Sequence, residues 1–176
     1  MSKPKPLTRT FRIDAGYDEV LIEEADKRGI SVNNLMNHIL KEFSESLRFK
    51  DKGNSITLAP QTLQNLIVNL TDEEIDKAGI LSGKTRAKDN LLMRGKVLQR
   101  ENILWYISEI LGEYSDWFTC DVYERKDHTL IFLRHIYNEK WSMFLSSFLN
   151  EMFIETLDIE PEIESSDSSV SVKLPK

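Results

Sequence analysis

The chain has 176 residues, a formal net charge of −6, and hydrophobic and charged fractions of 40% and 30%. That mixture excludes a wholly disordered polypeptide, and no apolar run approaches the roughly 20 residues of a membrane span. A single cysteine, Cys120, excludes an intrachain disulfide. The opening "MSKPKPLTRT" is basic without an apolar core behind it, which is not a secretory pattern. A cytoplasmic location is therefore expected.

The first element is "TRTFRID", Thr8 to Asp14. Thr8, Thr10 and Arg12 fall on one side, and Arg9, Phe11 and Ile13 on the other, which is strand periodicity. No second strand follows nearby. Asp14 then caps a helix expected from about Tyr17, with Tyr17, Val20, Leu21 and Ala25 as its apolar stripe and Gly29 as a left-handed stop. Ser31 is the expected N-cap of a second helix. Val32, Leu35, Met36, Ile39, Leu40 and Phe43 recur there at i, i+3, i+4, i+7, i+8 and i+11, the clearest helical period in the chain.

Residues 49–55, around "KDKGNS", read as a linker. Beyond it, Ile56 to Leu58 suggests a short strand and Pro60 the first position of a helix. Thr71 with Glu74 forms a capping-box pattern, and the helix it opens is expected to stop near Gly79. The basic stretch 82–100 is expected to be partly irregular. A helix over 101–114, strands over 117–125 and 128–136, and a helix over 138–157 follow. The acidic "EPEIESSD" leads to a last strand carrying Val170, Val172 and Leu174.

The strand, helix, Gly turn and second helix entered through Ser31, Val32 and Asn33 resemble the ribbon-helix-helix proteins of the MetJ/Arc superfamily. The likeness rests on "RTFRID", "DEVLIEEADKRGISVNNLMNHIL" and Phe43, about residues 8–47. It implies an intertwined homodimer whose two N-terminal strands pair as an antiparallel ribbon in the DNA major groove. The strand partner missing from this chain would then be the same strand of a second copy.

By that resemblance, Thr8, Thr10 and Arg12 contact bases. Lys3, Lys5 and Arg9 contact phosphates, as do Ser31, Val32 and Asn33 at a helix N-terminus. Arg9 departs from the family, which usually has an inward apolar residue there. The charge distribution agrees with a basic arm: residues 1–13 contain no acid, and the excess of acid lies beyond residue 50.

The remaining motifs carry less chemistry. "GILSGKT" (79–85) is one residue short of a phosphate-binding P-loop and follows a helix. Cys120, His128 and His135 lack a fourth ligand for zinc or nickel. Lys84, Arg86, Lys88, Arg94, Lys96 and Arg100 read as a solvated basic stretch. No nucleophile and acid–base pair is set together, so no enzyme activity, cofactor or metal is expected.

The sequence thus reads as α+β: a ribbon-helix-helix module over 1–48, a linker over 49–55, and an α+β sensing or assembly domain over 56–176. The order α-β-β-α-β is comparable with a ferredoxin-like sandwich, by fold analogy alone. The expected function is a DNA-binding transcriptional regulator, a repressor, acting on double-stranded DNA as a homodimer or a dimer of dimers under an unidentified effector. The alternative is an antitoxin with a toxin-binding C-terminal part.

Overall fold

A computed structural model describes residues 7–50 and 56–176. The chain divides into two compact units, Met1–Leu47 and Arg48–Lys176.

In the first unit, α1 spans Ala15–Arg28. The Asp14 carboxylate accepts from the Gly16 N–H at 2.8 Å, and Gly29 ends the helix at φ 64°, where a side chain would be strained. α2 spans Val32–Glu45, and the Ser31 hydroxyl oxygen accepts from the Asn34 N–H at 3.2 Å. Both caps satisfy N–H groups that a helix start leaves without partners. Leu7 to Asp14 is not a strand in the single chain. An alternating arm makes a strand only when another strand supplies its hydrogen-bond partners, and the described residues of this unit contain none.

The second unit is α+β. α3 (Pro60–Ile67) starts on proline as expected, but Ile56 to Leu58 is not a strand. α4 opens on Thr71 with the reciprocal capping box to Glu74: the Glu74 N–H donates to the Thr71 hydroxyl oxygen, and the Thr71 N–H donates to the Glu74 carboxylate. These bonds hold the Glu74 carboxyl below the usual carboxylate range.

α4 does not stop at Gly79; it runs from Asp72 to Met93 and takes in most of the stretch expected to be irregular. Its buried face is Ile75, Gly79, Gly83, Ala87 and Leu91, one residue per turn. Against that face lies α6 (Glu139–Leu157). A Cβ on Gly79 would come within 2.7 Å of the Phe144 carbonyl oxygen, and one on Gly83 within 2.5 Å of the Phe148 carbonyl oxygen. The glycines of the P-loop look-alike are therefore a helix–helix contact surface, where a missing side chain lets two backbones approach. Lys140 with Asp72, Ser147 with Asp76, and Lys84 with Glu151 flank the seam.

α5 (Arg100–Trp105) continues as a π-helical segment, Tyr106–Glu113, closed by the Tyr114 N–H on the Glu109 carbonyl at 2.9 Å. Long π segments are rare and widen the helix locally. The sheet comprises β1 (Thr119–Glu124), β2 (His128–Arg134), β3 (Glu162–Ser166) and β4 (Ser169–Pro175), in the order β1-β2-β4-β3 with every pairing antiparallel. Two hairpins joined by α6 are not the ferredoxin-like arrangement. The difference arises at β3, which comes from the acidic segment that the sequence offers as a connection. Its Ile163 opposes Val172, while Glu162 and Glu164 lie on the other face.

Ile131, Leu133, Val170, Val172 and Leu174 are fully buried and alternate with more exposed residues, so one sheet face is core. They join Ile103, Tyr106, Ile107, Leu145, Phe148 and Met152 in a single cluster. No helix among the described residues is long and apolar enough to cross a membrane.

Candidate functional site

Two features stand out, one in each unit. The first is an uncovered apolar surface. α2 is strongly amphipathic, yet of its stripe only Leu35 is buried. Ile39, Leu40 and Phe43 are exposed, Leu40 and Phe43 by 53% each, and so are Tyr17 and Val20 on α1 and Phe11 and Ile13 on the arm. An amphipathic helix in water leaves its apolar face bare only at an energetic cost, which burial against a partner removes.

The residues expected to meet DNA lie in this unit. Thr8, Arg9, Thr10 and Arg12 are exposed and outside regular structure, and Lys3 and Lys5 lie outside the described residues. Ser31 is occupied as a cap, Val32 is half-buried and Asn33 is exposed. Ser31–Asn33 thus lies at the start of α2, and the arm residues are not gathered into a ribbon.

The second feature is a half-open cleft of about 690 Å³ in the α+β unit. One wall is the π-helical segment, with Ser108, Glu109, Gly112 and Glu113. The facing wall is the hairpin end, with Cys120, Arg134, His135 and Tyr137. The strand register explains the second wall. Cys120 opposes Leu133, so Cys120 and His135 share the core side of the hairpin, while His128 lies on the other side. Among the described residues no group of three His, Cys, Asp or Glu side chains is placed to hold a metal.

The electrostatics of the cleft are uneven. Glu109, Glu113 and Asp116 line it, and Arg134 contacts Asp121 at 2.8 Å. Asp116 has φ 52°, a conformation that aspartate and asparagine tolerate better than most residues. Its carbonyl accepts from the Tyr137 hydroxyl at 3.4 Å. Burial, then the Asp116 charge, raises the pKa of Tyr137.

Burial, then Asp121, pushes the Cys120 thiol up to about 12. A thiol kept protonated at neutral pH is not a ready nucleophile. His135 is only 8% exposed, and its Nε2 lies 2.8 Å from the Ser142 hydroxyl. Its Nδ1 has no hydrogen-bond partner, and desolvation lowers its pKa, which favours the neutral ring. Beneath it, Tyr137 and Trp141 rings lie 5.2 Å apart, and the Trp141 indole N–H donates to the Trp117 carbonyl at 3.2 Å.

Sequence reasoning found Cys120 and His135 only as a weak metal set. It missed the acidic wall, because no local pattern announces a π-helical turn facing a hairpin.

No protein-family model and no curated protein matches this chain. A solved structure similar in part is trafficking protein particle complex subunit 3 from Naegleria fowleri covalently bound to palmitic acid. It is 11% identical, with a TM-score of 0.43, and the match covers 81% of this chain and 97% of that chain. None of these comparisons points to a DNA-binding protein, and the expectations of double-stranded DNA as partner, of a dimer of dimers on DNA, and of a transcription-regulating repressor are withdrawn.

Proposed function

We propose that the protein is a cytoplasmic, self-associating binding protein rather than an enzyme. Its N-terminal unit joins two copies in the manner of the ribbon-helix-helix family, and its α+β unit serves as the sensing or assembly domain. The observation that carries this reading is the bare stripe of α2, with Ile39, Leu40 and Phe43 exposed in the same unit as an arm that alternates like a strand but pairs with no strand among the described residues. A second copy meets both needs at once. It covers the stripes of α1 and α2, and it offers an identical arm as antiparallel partner.

Sedimentation equilibrium of the full chain tests the proposal. A dimer mass at micromolar concentration, shifting to monomer in Phe43→Ser, is expected. A monomer at every concentration overturns the proposal, and so does a dimer that Phe43→Ser leaves intact. Tight, sequence-selective DNA binding by the dimer would overturn the corrected choice of partner and leave the assembly.

A further inference from the structure

The sheet of the α+β unit ends in two open edges, and they are not alike. Among the described residues β1 pairs only with β2, and β3 only with β4. An open edge offers backbone N–H and C=O groups to any further strand, so soluble proteins usually guard it with charge. β3 is guarded: in the register of full overlap, two antiparallel copies of it set Glu164 opposite Glu164. β1 contains no proline or lysine. Its middle is Val122 and Tyr123, both strong strand formers, exposed by 38% and 46%.

The backbone of β1 shows which groups its edge presents. At the hairpin the Arg125 N–H donates to the His128 carbonyl at 2.9 Å, so Arg125 and His128 form a hydrogen-bonded pair. Such pairs alternate along an antiparallel ladder. Tyr123 and Asp121, opposite Leu130 and Phe132, therefore bond to β2. The N–H and C=O groups of Val122 and Glu124 point away from β2, toward the open edge.

The side chains of that edge complement a second copy of themselves. Residues opposite each other across an antiparallel pair share a sheet face, so a two-fold axis must pass through a residue of β1. An axis at Asp121 sets two carboxylates together. An axis at Val122 opposes Asp121 to the neutral Tyr123. An axis at Tyr123 sets Asp121 of each copy opposite Arg125 of the other, with the two Tyr123 rings side by side. Arg125 lies on the face this requires, its guanidinium 5.7 Å from the centre of the Tyr123 ring. In the same register Val122 and Glu124 exchange backbone hydrogen bonds with Glu124 and Val122 of the other copy.

We propose that the open edge of β1 binds a second copy of this chain, whose own β1 adds antiparallel about a two-fold axis at Tyr123 and makes the two sheets continuous. The inference deepens the assembly role proposed for the α+β unit and rests on that reading for its purpose alone, because the contact does not involve the N-terminal unit. One short strand per copy lies at the small end of interface sizes, below roughly 1,200 Å², so the contact forms above the micromolar range.

The test uses full-length chains carrying Cys120→Ser, so that one introduced thiol reports each position. Tyr123→Cys, Asp121→Cys and Glu164→Cys are compared at high chain concentration under oxidised glutathione, and covalent dimer is read on a non-reducing gel. The Cα atoms of a close antiparallel pair are about 4.5 Å apart, which a disulfide spans. Tyr123→Cys should therefore cross-link about tenfold faster than either of the others, because only its thiols meet at the axis. Val122→Pro removes an N–H that β2 does not use, and an edge strand tolerates proline. Adding it should abolish the advantage of Tyr123→Cys, whereas adding Phe43→Ser should leave the cross-link in place. In the unmodified protein, amide hydrogen exchange at Val122 and Glu124 should slow as chain concentration rises.

Far-UV circular dichroism checks the fold of each variant. Cross-linking at Tyr123→Cys no faster than at Asp121→Cys or Glu164→Cys overturns the inference, as does a fast cross-link that folded Val122→Pro leaves unchanged. Loss of the cross-link with Phe43→Ser, or exchange at Val122 and Glu124 that ignores concentration, overturns it too. A chain that sediments as a monomer at micromolar concentration yet cross-links fastest at Tyr123→Cys would sink the N-terminal assembly and leave this interface standing.

Discussion

The two units meet the same requirement in opposite ways. Arg48–Lys176 buries its apolar faces within itself: the α4 stripe closes on α6, and the sheet face joins the same cluster. Among the described residues of Met1–Leu47, the apolar residues that reach full burial are Ala25 and Leu35, although α2 has the clearest amphipathic pattern in the chain. Amphipathicity shows which face of a helix must be covered. It does not show whether the cover comes from the same chain. The second unit covers its apolar faces as folded, whereas the first leaves the stripe of α2 exposed.

The sharpest way to break this contrast is to remove the uncovered residues. Burial of a large apolar side chain is worth about 2 kcal/mol, and a symmetric dimer counts it twice. Phe43→Ser should therefore raise the dimer dissociation constant roughly thousandfold. The thermal transition of the second unit should hardly move. If instead the second unit melts earlier, the two are not energetically separate.

Next in size is the α4–α6 seam. Gly83→Ala gains about 1 kcal/mol of helix propensity. That gain is opposed by a Cβ placed 2.5 Å from a backbone carbonyl oxygen, and overpacking of this kind costs about 1–3 kcal/mol, occasionally more. Because the clash is with backbone rather than the tip of a flexible side chain, the clash wins. A net loss of up to about 2 kcal/mol is expected by urea denaturation, somewhat less for Gly79→Ala with its 2.7 Å approach. Unchanged stability would mean that the helices can slide apart cheaply.

The smallest effect concerns acid. Burial holds the folded His135 below its ordinary 6.5, so on lowering the pH the unfolded chain takes up the proton first. Its contribution is complete above that value and is lost as pH falls toward the folded pKa. His135→Gln should flatten this limb of the stability profile for the second unit. A profile identical to the wild type would place His135 in contact with water.

Much of the secondary structure was readable in the sequence because its signals are local. Asp14, Ser31 and the Thr71–Glu74 pair cap the helices they were expected to cap, and Gly29 ends α1. Gly79 misled for a physical reason. A glycine several residues after a capping box signals a helix stop, but in an i, i+4 pair with Gly83 it signals close packing, and only the partner helix decides between them. β3 was hidden because its edge position leaves Glu162 and Glu164 in solvent, which erases the apolar signature. The cleft was not legible at all. Its acids at 109, 113 and 116 and its histidine at 135 meet only because a π-helical turn and a hairpin end face each other.

The central claim is that a second copy completes the N-terminal unit. The most direct test mixes isotope-labelled and unlabelled full-length chains and records nuclear Overhauser effects between them. The account predicts contacts from Phe11 and Ile13 of one chain to the arm of the other, with Phe43 across the same interface. Contacts confined to the α+β unit, or a mixture that shows none while the protein sediments as a monomer, would contradict it.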